Sequence, residues 1–325
     1  MADSMSEISN KIRAGNRRAI GKAITLIESS RPDHQKEAQD LLSELLPYTG
    51  CAMRIGITGV PGVGKSTFIE SFGKMLTKLD IKVAVLAVDP SSKISGGSIL
   101  GDKTRMEELA RDDMAFIRPT PSKTTLGGIA RYTREAMLVL EAAGYEVVII
   151  ETIGVGQSEV AVADLVDMFL LLHSPGTGDE LQGIKRGIME LADLVVVNKA
   201  DGDFLNATKI AVSELRNALH FMKPKNSKWS VKVLEASALK RTGLKEVWEN
   251  IKVFKEFMTK EGEIDRRRAT QNVLAIWSEL GELVNDQIRI HKPKNINELE
   301  TAVRNAKITP QAAAKELLKY LLKDI

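Results

Sequence analysis

Cysteine is almost missing from this chain: Cys51 is the only one in 325 residues. A single thiol excludes an intrachain disulfide and a cysteine cluster for a metal, and it points to a reducing, cytoplasmic setting. Histidine is scarce too, with four in all, so the His-rich or Cys-x-x-Cys sites that handle metal ions are lacking. No apolar run approaches the ~18 residues needed to span a bilayer. The first residues, Met1 to Gly15, mix Asp3, Glu7, Lys11 and Arg13 without a long apolar core, which argues against a secretory signal. Neither charge sign dominates: 46 basic residues face 43 acidic ones, a net charge of +3. That balance gives no reason to expect nucleic acid or an anionic membrane as a partner. No internal repeat or low-complexity segment is visible. What remains is an ordinary globular composition, 43% hydrophobic and 27% charged.

Against this plain background one stretch stands out, Gly59-Val60-Pro61-Gly62-Val63-Gly64-Lys65-Ser66-Thr67, with the spacing G-x-x-x-x-G-K-S. Before it runs Met53 to Thr58, apolar enough for a buried strand. After it, Phe68, Ile69, Phe72, Met75 and Leu76 recur at helical spacing. Strand, glycine loop and helix together make a phosphate cradle: backbone N–H groups turn inward on an anion, Lys65 brings a point charge, and Ser66 offers a hydroxyl to Mg²⁺. The expectation is a nucleoside-triphosphate site.

The rest of the chain is arranged around that loop. Residues 1–50 read as an N-terminal helical extension, interrupted at Gly15-Asn16 and resumed after Pro32. Residues 51–258 alternate strand and helix, the pattern of a mostly parallel α/β sheet with helices on both faces. The expected strands are 53–58, 82–88, 114–118, 146–151, 167–173, 193–198 and 231–235. Several are continuous apolar runs, such as Val147 to Ile150 and Leu194 to Val197, as befits strands buried on both sides. Residues 259–325 read as helices only, a packed subdomain or an arm for a partner or a second copy. Thr309-Pro310 forms a cap and first-turn proline for the last of them.

In open parallel sheets, ligands lie beyond the carboxyl ends of the strands. The second strand ends at Asp89, and the glycine-rich stretch after it carries Asp102. The fourth ends in Glu151-Thr152-Ile153-Gly154-Val155-Gly156-Gln157, where an acid can help hold Mg²⁺ and the Gly154 N–H can approach a γ-phosphate. A segment rich in glycine and charge follows the fifth, including Asp179, Glu180, Gln182, Lys185 and Arg186, and reads as a partner-sensing element. The sixth ends in Asn198-Lys199-Ala200-Asp201. A carboxylate at Asp201 can pair with N1–H and the N2 amine of guanine, which adenine lacks, so GTP is favoured over ATP. Asn198 and Lys199 would brace that loop and cover the base. From the turn after the last strand, Ser237-Ala238-Leu239, an N–H of Ser237 or Ala238 can meet the guanine O6. Arg105, Arg131 and Arg186 stay open as candidates for an arginine finger.

Taken together, GVPGVGKST (59–67), AVDPSS (87–92), GGSILGDKTRM (96–106), ETIGVGQSE (151–159), GDELQGIKRGIMELAD (178–193) and NKAD (198–201) closely resemble the MeaB/MMAA group. These are G-protein chaperones of methylmalonyl-CoA mutase, also called ArgK-type. The resemblance runs through nearly the whole chain and implies a GTPase of the SIMIBI class, turning GTP into GDP and phosphate with Mg²⁺. It implies a homodimer built through the C-terminal arm. It implies service to methylmalonyl-CoA mutase or a related cobalamin-dependent acyl-CoA mutase, with adenosylcobalamin arriving from an adenosyltransferase. By the same likeness Lys65 and Ser66 contact phosphate and Mg²⁺, Asp89, Asp102 and Glu151 surround the metal, and 178–187 is a switch that responds to the mutase. The chain's own aromatic poverty, and its lack of an Asp-x-His-x-x-Gly pattern, argue that cobalamin does not bind this protein. A kinase acting on a small molecule or a transport protein is the competing reading, with Asp89 as the acceptor-activating base.

Overall fold

The computed structural model describes residues 5–89, 106–121, 126–152, 158–175, 186–222, 228–290 and 295–323. The chain divides into two compact units, Met1–Gln271 and Asn272–Ile325.

The first unit opens with three helices, α1 (Met5–Arg13), α2 (Arg17–Ile27) and α3 (Pro32–Leu45). The Asn16 side chain accepts the Ala19 N–H and so starts α2 directly after the break at Gly15. There follow β1 (Met53–Thr58), α4 (Lys65–Thr77), β2 (Val83–Asp89), α5 (Glu107–Ala110), β3 (Ala115–Pro121), α6 (Leu126–Ala142) and β4 (Val147–Glu151). Next come α7 (Ser158–Ala163), β5 (Met168–His173), α8 (Arg186–Leu191), β6 (Leu194–Val197), α9 (Leu205–His220), β7 (Lys232–Glu235) and α10 (Leu244–Lys260). Helix α11 (Glu263–Ile290) starts in the first unit and ends in the second, which adds α12 (Ile296–Arg304) and α13 (Pro310–Lys323). Thr309 caps α13 as its sequence indicates, its Oγ1 accepting the Ala312 N–H at 3.2 Å.

Among the described residues the sheet has seven strands in the order β3-β2-β4-β1-β5-β6-β7, every neighbouring pair parallel. All seven fall where the sequence places strands, to within a few residues. Alternation along each strand sends one set of apolar side chains to each face. Ala84, Leu86, Val148, Ile150 and Phe169 pack under α1, α2, α3, α6 and α7. Ile55, Ile57, Val83, Val85, Ile149 and Leu170 pack under α4, α5 and α10. With both faces covered, chemistry is confined to the strand ends.

The two ends differ in kind. At the amino end, Asp167 accepts two bonds from Arg268 of α11, Nε at 2.7 Å and Nη2 at 2.6 Å, and one from the Arg54 N–H at 2.9 Å. Arg267 grips Asp193 through two bonds of 3.0 and 3.1 Å, and Arg54 pairs with Glu141 at 2.6 Å. Buried charges of opposite sign saturate one another here, and they fasten the first two turns of α11 to the sheet. The carboxyl end is where β1, flanked by β4 and β5, opens into the glycine loop.

Candidate nucleotide-binding site

The glycine loop connects the end of β1 to the first turn of α4. Gly59 is required by close approach: a Cβ there would lie 2.4 Å from the Leu172 carbonyl oxygen of β5. Gly64 holds the position before α4 with φ +92°, a left-handed conformation that a side chain disfavours. Because Gly64 has no side chain to cap the helix, the first N–H groups of α4 are left for an external acceptor, and the helix dipole favours an anion there.

Lys65 heads α4, and its Nζ donates to the carbonyls of Gly59 at 2.7 Å and Val60 at 3.3 Å, so the ammonium sits over the loop. Burial pulls its pKa below the usual lysine value, and the carboxylates of Glu151 and Glu159 restore only part of the loss. Ser66 Oγ donates to Glu151 Oε1 at 3.0 Å. Glu151 ends β4, directly beside Ile57 of β1, and so reaches the first turn of α4 from a neighbouring strand. Thr152 ties the same two strand ends together, its Oγ1 donating to Thr58 Oγ1 at 2.9 Å. A hydroxyl and a carboxylate oxygen adjoining a lysine ammonium form a hard-donor set suited to Mg²⁺ beside phosphate oxygens.

Some 135 residues later the second half of the site returns to the loop. Asn198, at the end of β6, donates its Nδ2 to the Val63 carbonyl at 2.9 Å and accepts the Ala238 N–H on its Oδ1 at 3.0 Å. It is 1% exposed and acts as a brace between the glycine loop and the turn after β7. Lys199 has φ +62°, uncommon for a side-chain-bearing residue and of the kind that gathers at functional turns. The Ser237 hydroxyl donates to Asp201 Oδ2 and accepts the Lys240 N–H at 3.0 Å, so the carboxylate is oriented by the facing turn.

The amides that the sequence nominates for the guanine O6 already have partners in this geometry. The N–H of Ser237 donates to the Thr242 carbonyl at 3.0 Å and that of Ala238 to Asn198, so both are engaged within the protein. Leu239, 73% exposed, carries the turn's next amide. Glu159 of α7, 4% exposed, adds a second carboxylate to the field at Lys65. In the sequence it closes the stretch 151–159 without a role assigned to it, because one glutamate after a glycine run has no fixed chemistry of its own. Arg131 pairs with Glu135 at 3.7 Å on α6. Asp102, Gly154, Asp179, Glu180, Gln182 and Lys185 lie outside the described residues, as do Arg105 and the side chains of Asp89 and Arg186.

A glycine loop feeding a helix that begins Lys-Ser, an acid at the neighbouring strand end, and an all-parallel sheet around them define a P-loop nucleotide-binding protein of α/β fold. Comparison with known proteins narrows this. The family model described as methylmalonyl Co-A mutase-associated GTPase MeaB matches residues 20–293. The GTPase ArgK of Escherichia coli is 45% identical over 98% of this chain and 97% of its own. The mouse methylmalonic aciduria type A homolog, a mitochondrial protein, is 45% identical over 94% of this chain and 76% of its own. Among solved structures, a LAO/AO transport system kinase superposes with a TM-score of 0.76 at 38% identity, covering 99% of both chains. The chain belongs to the MeaB family of GTPases.

Proposed function

We propose that this GTPase is a chaperone switch for a cobalamin-dependent acyl-CoA mutase, methylmalonyl-CoA mutase or a relative. In this reading it gates adenosylcobalamin loading from an adenosyltransferase and protects and reactivates the mutase. The family match carries the proposal: it extends over 274 of the 325 residues and bears the mutase in its description. The site supplies the switch. Residues Gly59 to Thr67 hold the phosphate chain, and Lys65 neutralises charge on the β- and γ-phosphoryl oxygens. Ser66, Glu151, Asp89 and Asp102 would hold Mg²⁺, which supplies charge neutralisation when bound. Gly154 stands to approach the γ-phosphate. Asp201, set by Ser237, reads guanine, with Asn198, Lys199, Ala238 and Leu239 around the base. Asp179, Glu180, Gln182, Lys185 and Arg186 form the segment that senses the mutase.

The exposed stripe on α11 supports a homodimer through the C-terminal arm. Val273, Trp277 and Leu280 are 56%, 68% and 48% exposed at helical spacing, an unusual face to leave in water. No described helix is long and apolar enough to cross a membrane, and a cytoplasmic setting suits a chaperone for such a mutase.

The test is the rate of GTP hydrolysis with and without purified acyl-CoA mutases. Stimulation by one of them is the expected result. Indifference to all of them would remove the chaperone role, and phosphate recovered on an acceptor rather than in solution would favour the kinase reading.

A further inference from the structure

The turn that recognises the base is hung from the helix that holds the phosphates. Ser71 lies in the second turn of α4, 6% exposed, and its Oγ donates to the Ala238 carbonyl at 2.7 Å in a buried bond. Ala238 is the residue whose N–H binds Asn198, and its neighbour Ser237 orients Asp201. A second tie runs around the outside. Arg241, in a left-handed conformation at φ +57°, pairs with Glu108 of α5 at 2.7 Å. That short helix is itself fastened to α4: the Glu108 N–H donates to Glu70 at 2.8 Å, and Leu109 fills the notch left by Gly73, where a Cβ would lie 2.6 Å away.

We propose that Ser71 is a positioning residue for guanine recognition. It fixes the distance between the phosphate cradle and the Ser237–Asp201 pair, so that guanine and the phosphate chain are gripped together. The proposal rests on the reading of Asp201 as the guanine-binding carboxylate. One helix presents Lys65 and Ser66 at its N-terminus and Ser71 one and a half turns on, so the two subsites share one rigid part. A buried carbonyl that loses its side-chain donor shifts toward whatever partner it can find, and the turn moves with it.

The experiment measures affinity for GDP and for IDP, which lacks the N2 amine, in the full-length chain. In Ser71→Ala the preference for GDP over IDP is expected to fall about fivefold to tenfold, the loss appearing in KM for GTP rather than in kcat. Ser71→Thr, which keeps the hydroxyl, should regain most of the preference. Arg241→Ala, on the exposed tie, should lower it by about twofold to threefold. A folded Ser71→Ala protein whose melting temperature drops while its GDP/IDP ratio stays at the parent value would overturn the proposal. Should Ser71→Ala fail to fold, an unchanged ratio in Arg241→Ala overturns it instead. Asp201→Asn separates the two layers. If it does not move preference from GTP toward xanthosine triphosphate, the base-site reading falls and this inference with it. If it does and Ser71→Ala changes nothing, this inference alone falls.

Discussion

Removing Asp167 should destabilise the protein by about 3 kcal/mol, and removing Arg268 by about 5, at the two ends of the range for breaking a buried ion pair. The ordering follows from what each substitution strands. The Asp167 carboxylate is fully buried and accepts three hydrogen bonds, two from Arg268 and one from the Arg54 N–H. In Asp167→Ala the stranded guanidinium keeps its bonds to the Gly50 carbonyl at 2.5 Å and the Ala52 carbonyl at 2.7 Å, and its side chain is 15% exposed. In Arg268→Ala the carboxylate keeps the Arg54 N–H alone of these three bonds, while the Gly50 and Ala52 carbonyls lose their Arg268 donor. The guanidinium's own pKa follows the balance: burial lowers it, and the hydrogen bonds and charge of Asp167, with the charges of Glu141 and Asp265, together more than reverse that. Urea unfolding gives the measurement, and with a slope of about 3 kcal/mol per molar the two midpoints should fall by about 1 M and about 1.7 M. The exposed pair Lys11–Glu7, at 3.5 Å, is the internal control and should not shift the midpoint measurably. Midpoint shifts below about 0.3 M at unchanged slope, or a larger loss for Asp167→Ala than for Arg268→Ala, would refute the reasoning.

Three further outcomes are expected from the site and the arm. Because burial holds the Lys65 pKa down, an adjacent phosphate chain, which favours the charged form, should raise it again. Between the two values the complex therefore binds more protons than the free protein. Calorimetry of GDP binding in buffers of different ionisation enthalpy should show proton uptake that grows as the pH is raised toward the lowered Lys65 pKa of the free protein, and Lys65→Ala should abolish both that increase and nucleotide turnover. Glu151→Ala removes the acceptor of the Ser66 hydroxyl; Mg²⁺ titrations of GTP hydrolysis should move to about tenfold to hundredfold higher concentration, whereas GDP affinity in chelator should hardly change. Trp277→Asp places a charge in the exposed stripe of α11. Light scattering should show a monomer in place of a dimer, with basal hydrolysis preserved; a wild-type chain that already runs as a monomer would end that reading.

The parts that sequence reveals and the parts it conceals divide along physical lines. The glycine loop, Glu151 and the Asn198–Asp201 run are legible because each is a short consecutive stretch at a strand end, where the fold class itself says to look. The strands are legible because burial on both faces leaves apolar runs such as Val147 to Ile150. The amino-end ion pairs are not. Arg267 and Arg268 sit in a local run of charge that reads as a solvated helix face, and their partners lie 74 and 101 residues away. Those contacts, with that of Gln271 to the Val166 carbonyl at 2.9 Å, also explain why the first compact unit extends to Gln271, whereas the sequence pattern places the boundary after residue 258. Hydrogen-bond allocation is likewise hidden. Sequence can nominate Ser237 and Ala238 for the base, but only the fold shows that Thr242 and Asn198 already hold their amides.

One consequence joins the two ends of the sheet. Strands β1 and β5 are neighbours in parallel register, Ile55 opposite Met168 and Thr58 opposite Leu171. At the amino end they are tied by Asp167, which takes the Arg54 N–H. At the carboxyl end they meet again where Gly59 leaves no room for a Cβ against the Leu172 carbonyl. A slide of one strand against the other would therefore be felt first at the glycine loop, since that contact has no slack and packed interiors transmit displacement rather than absorb it. By holding β1 and β5 in register, the amino-end charges keep the Gly59 contact aligned, while Asn198 and Lys65 secure the loop from the carboxyl side.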